Sequence, residues 1–179
     1  MIQRLHRRFQ RPIIILCAIL AVGLPALVLA NEKAIGKKAL EFVLSDQYEQ
    51  RWTWNRHWKG KHTVLVLSDW KGSDYTAQWT TPLAKRFKDR VQFVALADVS
   101  LAPSFLRSYL RDKFKEAYAN SILLDWEGDV FTYYVAQPSL PNVIYVAPDG
   151  VVKLHTWGKG ASDHVDAFAT ELEKLLSSP

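Results

Sequence analysis

Among 179 residues there is one cysteine and one methionine, and the cysteine, Cys17, falls early, inside an uncharged apolar stretch. From Asn31 onward the chain contains no thiol. That absence excludes thiolate nucleophiles, internal disulfides and cysteine-held zinc or copper from this part. A basic footprint is also missing. Four of the 23 Lys and Arg lie in the first 30 residues and all 18 Asp and Glu lie after them, so the remainder is nearly neutral, at about +1. The chain's overall +5 therefore belongs mostly to its start, and no nucleic-acid partner is expected. Internal repeats, low-complexity tracts and long linkers are absent after residue 31.

The first 30 residues read as a targeting segment. Arg4, Arg7, Arg8 and Arg11 form a basic start without an acid, and residues 13–30 carry no charge. Pro25 and the ending Val28-Leu29-Ala30 set up cleavage before Asn31, the layout of a secretory signal peptide. The competing reading is an uncleaved anchor, since about 18 uncharged residues nearly span a hydrocarbon core. Leu16 before Cys17 is too large for a lipoprotein cleavage site. The expected division is a leader at 1–30 and one domain at 31–179, large enough for a core without staples. The expected location is periplasmic or secreted, with an inner-membrane anchor as the alternative.

Apolar patterning gives the elements. Phe42 to Leu44 and Arg51 to Trp54 read as an N-terminal hairpin, and Asn55 to Lys61 as a loop. Val64 to Leu67, Val91 to Ala97 and Ile122 to Leu124 are continuous apolar runs, as in strands covered on both faces. Trp79, Leu83 and Phe87 form a helical stripe that Pro82 should kink. Pro103 opens a second helix, with Leu106, Leu110, Phe114 and Ala117 inward and Arg107, Arg111 and Lys115 outward. Val143 to Ala147 and Val151 to Thr156 flank the turn Pro148-Asp149-Gly150. Ser162 caps a last helix, with Val165, Phe168, Leu172 and Leu175 on its apolar side. A parallel crossover followed by an antiparallel hairpin makes an α/β domain: a mixed central sheet with helices on both faces and an N-terminal β-hairpin extension.

That order resembles the thioredoxin-like fold, in its exported peroxiredoxin and TlpA-type branch, over about residues 35 to 176. The features that carry the resemblance are "FVLSD", "WKGKHTVLVL", the helix with Pro82, "LLDWEGDVFTYYV" and "LPNVIYVAPDG". In texture the chain is similar to the YtfJ-type group of periplasmic proteins, through the polar junction leading to "PL" and through "ADVSLAPSFLRSYLRDKFK". The resemblance implies a cis bond at Leu140-Pro141, facing the N-terminus of the first long helix. At that junction, "SDWKGSDYTAQWTTPLAKRF", relatives carry a Cys-x-x-Cys pair. Here the strand register places Ser73 and Thr76 there, the Pro82 register Asp74 and Ala77, and the Trp70-Lys71-Gly72 register Lys71 and Asp74. No register supplies sulfur, so the family's redox activity does not carry over.

The candidate binding residues are Ser73, Asp74, Thr76 and Pro141. Unpaired amides at a helix N-terminus favour an anion or carbonyl, and the competing role for Ser73 and Asp74 is capping. A serine nucleophile would need a base, and no histidine lies in the elements that should face it. His57 and His62 share a loop, but no third ligand has suitable spacing, so no metal and no cofactor are expected. His155 should be exposed on its hairpin, and Asp69 should form at most a weak surface pair. Trp52 and Trp54 either pack inward or form an exposed patch. The expected function is a binding, scaffold or chaperone-like module of the cell envelope, with a protein or peptide partner and no catalytic residues. The alternatives are a non-thiol enzyme using Ser73, Asp74 and Thr76, and a membrane-anchored structural protein.

Overall fold

A computed structural model describes residues 34–177. The leader, its cleavage site and Cys17 lie outside the described residues. Seven strands form one sheet in the order β2-β1-β5-β4-β3-β6-β7. They are β1 (Val43–Asp46), β2 (Arg51–Thr53), β3 (Thr63–Ser68), β4 (Gln92–Asp98), β5 (Ile122–Asp125), β6 (Asn142–Val146) and β7 (Val152–Trp157). The central strands β3, β4 and β5 are parallel, whereas β6, β7 and the β1–β2 hairpin run antiparallel to their neighbours.

All six residues of β3 are buried, which is why it reads as an unbroken apolar run. Its side chains divide between two cores because successive residues point to opposite faces. Leu65 and Leu67 join Val94, Leu96, Leu123 and Ile144 in one core. Val64 and Val66 join the other, which is covered by α2 (Thr76–Phe87) and α5 (Ser162–Ser177). The stripe Trp79, Leu83 and Phe87 is buried there, and α2 continues unbroken through Pro82. The Trp79 indole N–H donates to Gly158 O at 2.7 Å, satisfying a buried donor. Among the described residues, no helix is long and apolar enough to cross a membrane.

Several local expectations are corrected. The hairpin ends at Thr53, and Trp54 begins a one-turn helix, α1 (Trp54–His57). Trp54 and Trp58 are buried against Phe42, and Trp52 stacks on Trp58 at 5.8 Å with its indole N–H on Asp46 Oδ2 at 2.9 Å. Of the two roles expected for Trp52 and Trp54, inward packing is therefore the one observed. A further short helix, α4 (Asp129–Tyr134), lies in the stretch after β5 and buries Val130 and Tyr134. On α3 (Arg107–Ala117) no residue is fully buried and Ala117 is exposed. Arg107 and Arg111 are half-buried there rather than outward, because their guanidiniums stack on Trp126 at 5.0 and 5.5 Å. His155 is 2% exposed, pairing with Ile144 on the face that the 34–42 segment and α4 help to cover.

Candidate functional site

The end of β3 leads into a compact junction. After Ser68 come Asp69, Trp70 and Lys71, then a 3-10 turn (Gly72–Tyr75), then α2. Asp69 organises it. Its Oδ1 accepts the Gly72 amide at 2.7 Å and its backbone carbonyl accepts the Ser73 amide at 2.9 Å. This is the side-chain-to-backbone turn that Asp favours. Its second oxygen, Oδ2, accepts the Ser139 amide at 2.7 Å, tying the junction to the loop before β6. Asp69 is thus a staple between two loops and not a surface ion pair.

Gly72 is buried, and a Cβ there would lie 2.9 Å from the Leu140 carbonyl carbon and 3.0 Å from its oxygen. Only glycine lets the two backbones meet so closely. Asn142, fully buried, holds the second loop from the other side: its Oδ1 accepts the Gln137 amide at 2.7 Å, while Nδ2 donates to the Gln137 and Leu140 carbonyls at 2.9 and 3.0 Å.

The Leu140–Pro141 bond is trans, as are all peptide bonds among the described residues. The cis bond expected from the resemblance is therefore corrected. The loop reverses instead at Ser139, whose φ of 64° is left-handed and whose amide is fixed by Asp69. Pro141 itself is buried. Its carbonyl accepts the Gly158 amide at 3.2 Å, which links this loop to the backbone beneath Trp79.

Of the four residues singled out in the sequence, Ser73, Asp74 and Thr76 lie on the 3-10 turn and the start of α2, and Pro141 follows the Leu140 backbone against which that turn packs. Ser73 and Asp74 are exposed and Thr76 half-buried. The Ser73 hydroxyl donates to Trp70 O at 2.7 Å, and the Thr76 and Ser68 hydroxyls share a hydrogen bond of 2.8 Å. These hydroxyls hold the turn. None of the three has a basic side chain among its hydrogen-bond partners. Among the described residues no cluster of three metal-ligating side chains forms.

Two buried titratable groups lie on the same sheet, and one of them, His155, reaches Asn142. Asp125, at the end of β5, has its carboxyl raised above the usual range by burial, partly offset by the amides of Val130, Phe131 and Gly128. His155 is lowered to about 4 by burial. Its Nε2 lies 3.4 Å from Asn142 Oδ1. That oxygen already accepts an amide, so Nε2 carries the proton, and Nδ1 is left without a partner.

Sequence reasoning missed Asp69, Gly72 and Asn142 as organisers. The signal for the first two was present as an Asp three residues before a Gly at a strand end. It also missed what this end exposes: Trp70 is 83% exposed, and Leu101 and Phe105, beyond β4, are 98% and 81% exposed.

No family model and no curated protein matches this chain in sequence. Solved structures do match it in shape. A putative thiol:disulfide interchange protein DsbE from Chlorobium tepidum is 18% identical with a TM-score of 0.63, over 80% of this chain and 98% of that one. A hypothetical protein from Sinorhizobium meliloti is 15% identical with a TM-score of 0.62, over 82% and 86%. The pneumococcal exposed lipoprotein thioredoxin of Streptococcus pneumoniae is 18% identical with a TM-score of 0.56, over 75% and 99%. The domain has the thioredoxin-like α/β fold, and its structural neighbours include thiol-disulfide oxidoreductases.

Proposed function

We propose that this chain is an exported, thiol-free thioredoxin-fold module that acts by docking, and that the C-terminal end of its parallel strands is the docking face. The observation that carries the reading is the junction itself. The corner where a redox relative holds its cysteines is kept assembled by Asp69, Gly72 and Asn142, yet it presents Ser73, Asp74 and the exposed Trp70 in place of a reactive atom. In open α/β sheets the strand C-terminal end is where ligands gather. Trp70, 83% exposed there, is the residue type most enriched among binding anchors.

Export is supported by the basic start, the apolar run and the Val28-Leu29-Ala30 ending. Kinship with the YtfJ-type periplasmic group is part of the same reading. A scaffold or chaperone-like role in the cell envelope fits a junction whose hydroxyls are bonded to its own backbone or to each other.

The test is site-specific photocrosslinking in living cells. A benzophenone side chain at position 70 or 105 should give adducts, whether to protein or to lipid, that the same group at Glu173 on α5 does not. Equal labelling from all three positions, or none from 70 and 105, would remove the docking face.

A further inference from the structure

We infer that residues 135–140, the loop between α4 and β6, form a strained strap that opens as one piece and loosens the junction when it does. The motion is a property of this loop and does not depend on the docking face.

Strain shows at two of the strap's residues. Val135 has a φ of 53° and Ser139 a φ of 64°, both in the left-handed region. Val135 closes α4 as a glycine would: its amide donates to Thr132 O at 3.2 Å, and Ala136 N donates to Phe131 O at 3.0 Å. A β-branched side chain is a poor occupant of that conformation. Strained dihedrals of this kind gather at clamps and switches, where the surroundings hold them in place.

The surroundings here are polar. No residue of the strap is buried, and Ala136 packs against one core only in part. Past Val135 the strap is gripped by two side chains from outside it. Asn142 binds Gln137 N, Gln137 O and Leu140 O, and Asp69 binds Ser139 N. A segment with few buried contacts and exposed backbone belongs to the low-stability end of a fold, which opens without global unfolding. Its ends are firm by contrast: Tyr134 and Asn142 are each 0% exposed.

The middle of the strap is stiff. Pro138 fixes its own φ and confines Gln137 to extended backbone. A change of path therefore falls on Val135 and Ser139, which act as the hinges.

Opening reaches the junction through two contacts. Asp69 gives up the Ser139 amide while its other oxygen holds Gly72. The Leu140 backbone, which leaves no room for a Cβ on Gly72, moves off the 3-10 turn that carries Ser73 and Asp74. The turn then loses its packing partner.

All seven strands and both cores lie within residues 34–177, so a chain beginning at Asn31 is a self-contained fold without the apolar leader. Native-state hydrogen exchange of that chain in rising, sub-denaturing urea tests the strap. The amides of Gln137, Ser139 and Gly72 should open together, with little urea dependence and at least about 100-fold more often than β3 amides. Val135→Asn keeps every backbone group and suits a left-handed φ, so it should slow exchange at Gln137 and Ser139 about fivefold. Ser139→Asn, at the second hinge, should act in the same direction. Glu49→Asn relieves a φ of 64° in the β1–β2 turn and should leave the strap's rates unchanged. Thermal melts check that each variant is folded.

The strap is overturned if Gln137 and Ser139 open separately, or open only together with β3. It is equally overturned if folded Val135→Asn and Ser139→Asn exchange there as fast as wild type. Gly72 exchanging independently of Ser139 would overturn the link to the junction.

Discussion

The carboxylate of Asp69 and the backbone amide of Ser139 are 70 residues apart in sequence and 2.7 Å apart in space. The same carboxylate holds Gly72, so one side chain fixes both halves of the junction. Asp69→Ala would leave two amides without their acceptor, and a half-buried donor left unpaired costs about 1–3 kcal/mol. The expected result is a lower urea midpoint and faster hydrogen exchange at Ser139 and Gly72 than at β3 amides. Asp69→Asn keeps one acceptor oxygen and should fall between the two. Unchanged exchange at Ser139 would show that the loop is held by something else.

The contact between Gly72 and Leu140 predicts a steric penalty of a different kind. A Cβ 2.9 Å from a backbone carbon cannot be relieved by a rotamer change, so Gly72→Ala must push the two loops apart. Overpacking of this sort costs about 1–3 kcal/mol. Gly36 is the control: a Cβ there meets nothing within 4 Å, so Gly36→Ala carries only the strain of its φ of 84°. Crystal structures of the two variants should show loop separation at Leu140 in Gly72→Ala alone. An undisturbed Leu140 in that variant would refute the account.

The parts of this fold that the sequence disclosed are those whose burial is periodic. Val64 to Leu67 are covered on both faces by two cores, and the Trp79, Leu83, Phe87 stripe is covered along its length by one. His155 was misjudged for the opposite reason. Its face is covered partly by the irregular 34–42 segment, whose packing has no period to read. Trp54 continues the alternation of Trp52, and only the tertiary cage of Phe42 and Trp58 turns it into a helix start. The candidate site was legible as a place, since the junction after an apolar strand is conspicuous. Its internal construction was not, because Asp69 and Ser139 meet only through the fold. The trans Pro141 shows the limit of resemblance, and the left-handed residue nearest it is Ser139.

The absence of thiols after Cys17 carries a direct biochemical expectation. Protein beginning at Asn31 should neither reduce insulin disulfides nor consume hydroperoxide with a dithiol reductant, since the attacking thiolate is missing. Turnover above the buffer rate that survives removal of trace metal would reveal a non-thiol catalyst at this corner. Loss of such turnover in Asp74→Asn would locate it there.

His155 should make the domain sensitive to acid. Burial lowers the folded-state pKa to about 4, against about 6.5 for an exposed histidine. Between those values the unfolded chain takes up a proton that the folded chain refuses, so stability falls as pH falls from about 6.5 towards about 4. Above that window the group contributes nothing to the pH dependence. Complete passage through it corresponds to about 3 kcal/mol. Asp125 acts in the opposite sense: its raised carboxyl binds a proton in the folded state first, which adds stability as pH drops and offsets part of the loss. The wild-type profile therefore mixes the two, and His155→Leu separates them. That variant loses one long hydrogen bond, of 3.4 Å, and the edge-on ring contact with Trp157 at 6.0 Å, while Asn142 Oδ1 keeps its bond to Gln137. Near neutral pH the variant should lie within about 1 kcal/mol of wild type. Its advantage should then grow as the buffer is acidified, read as urea midpoints at constant m-value. Parallel profiles for the two proteins would mean that His155 does not stay neutral in the fold.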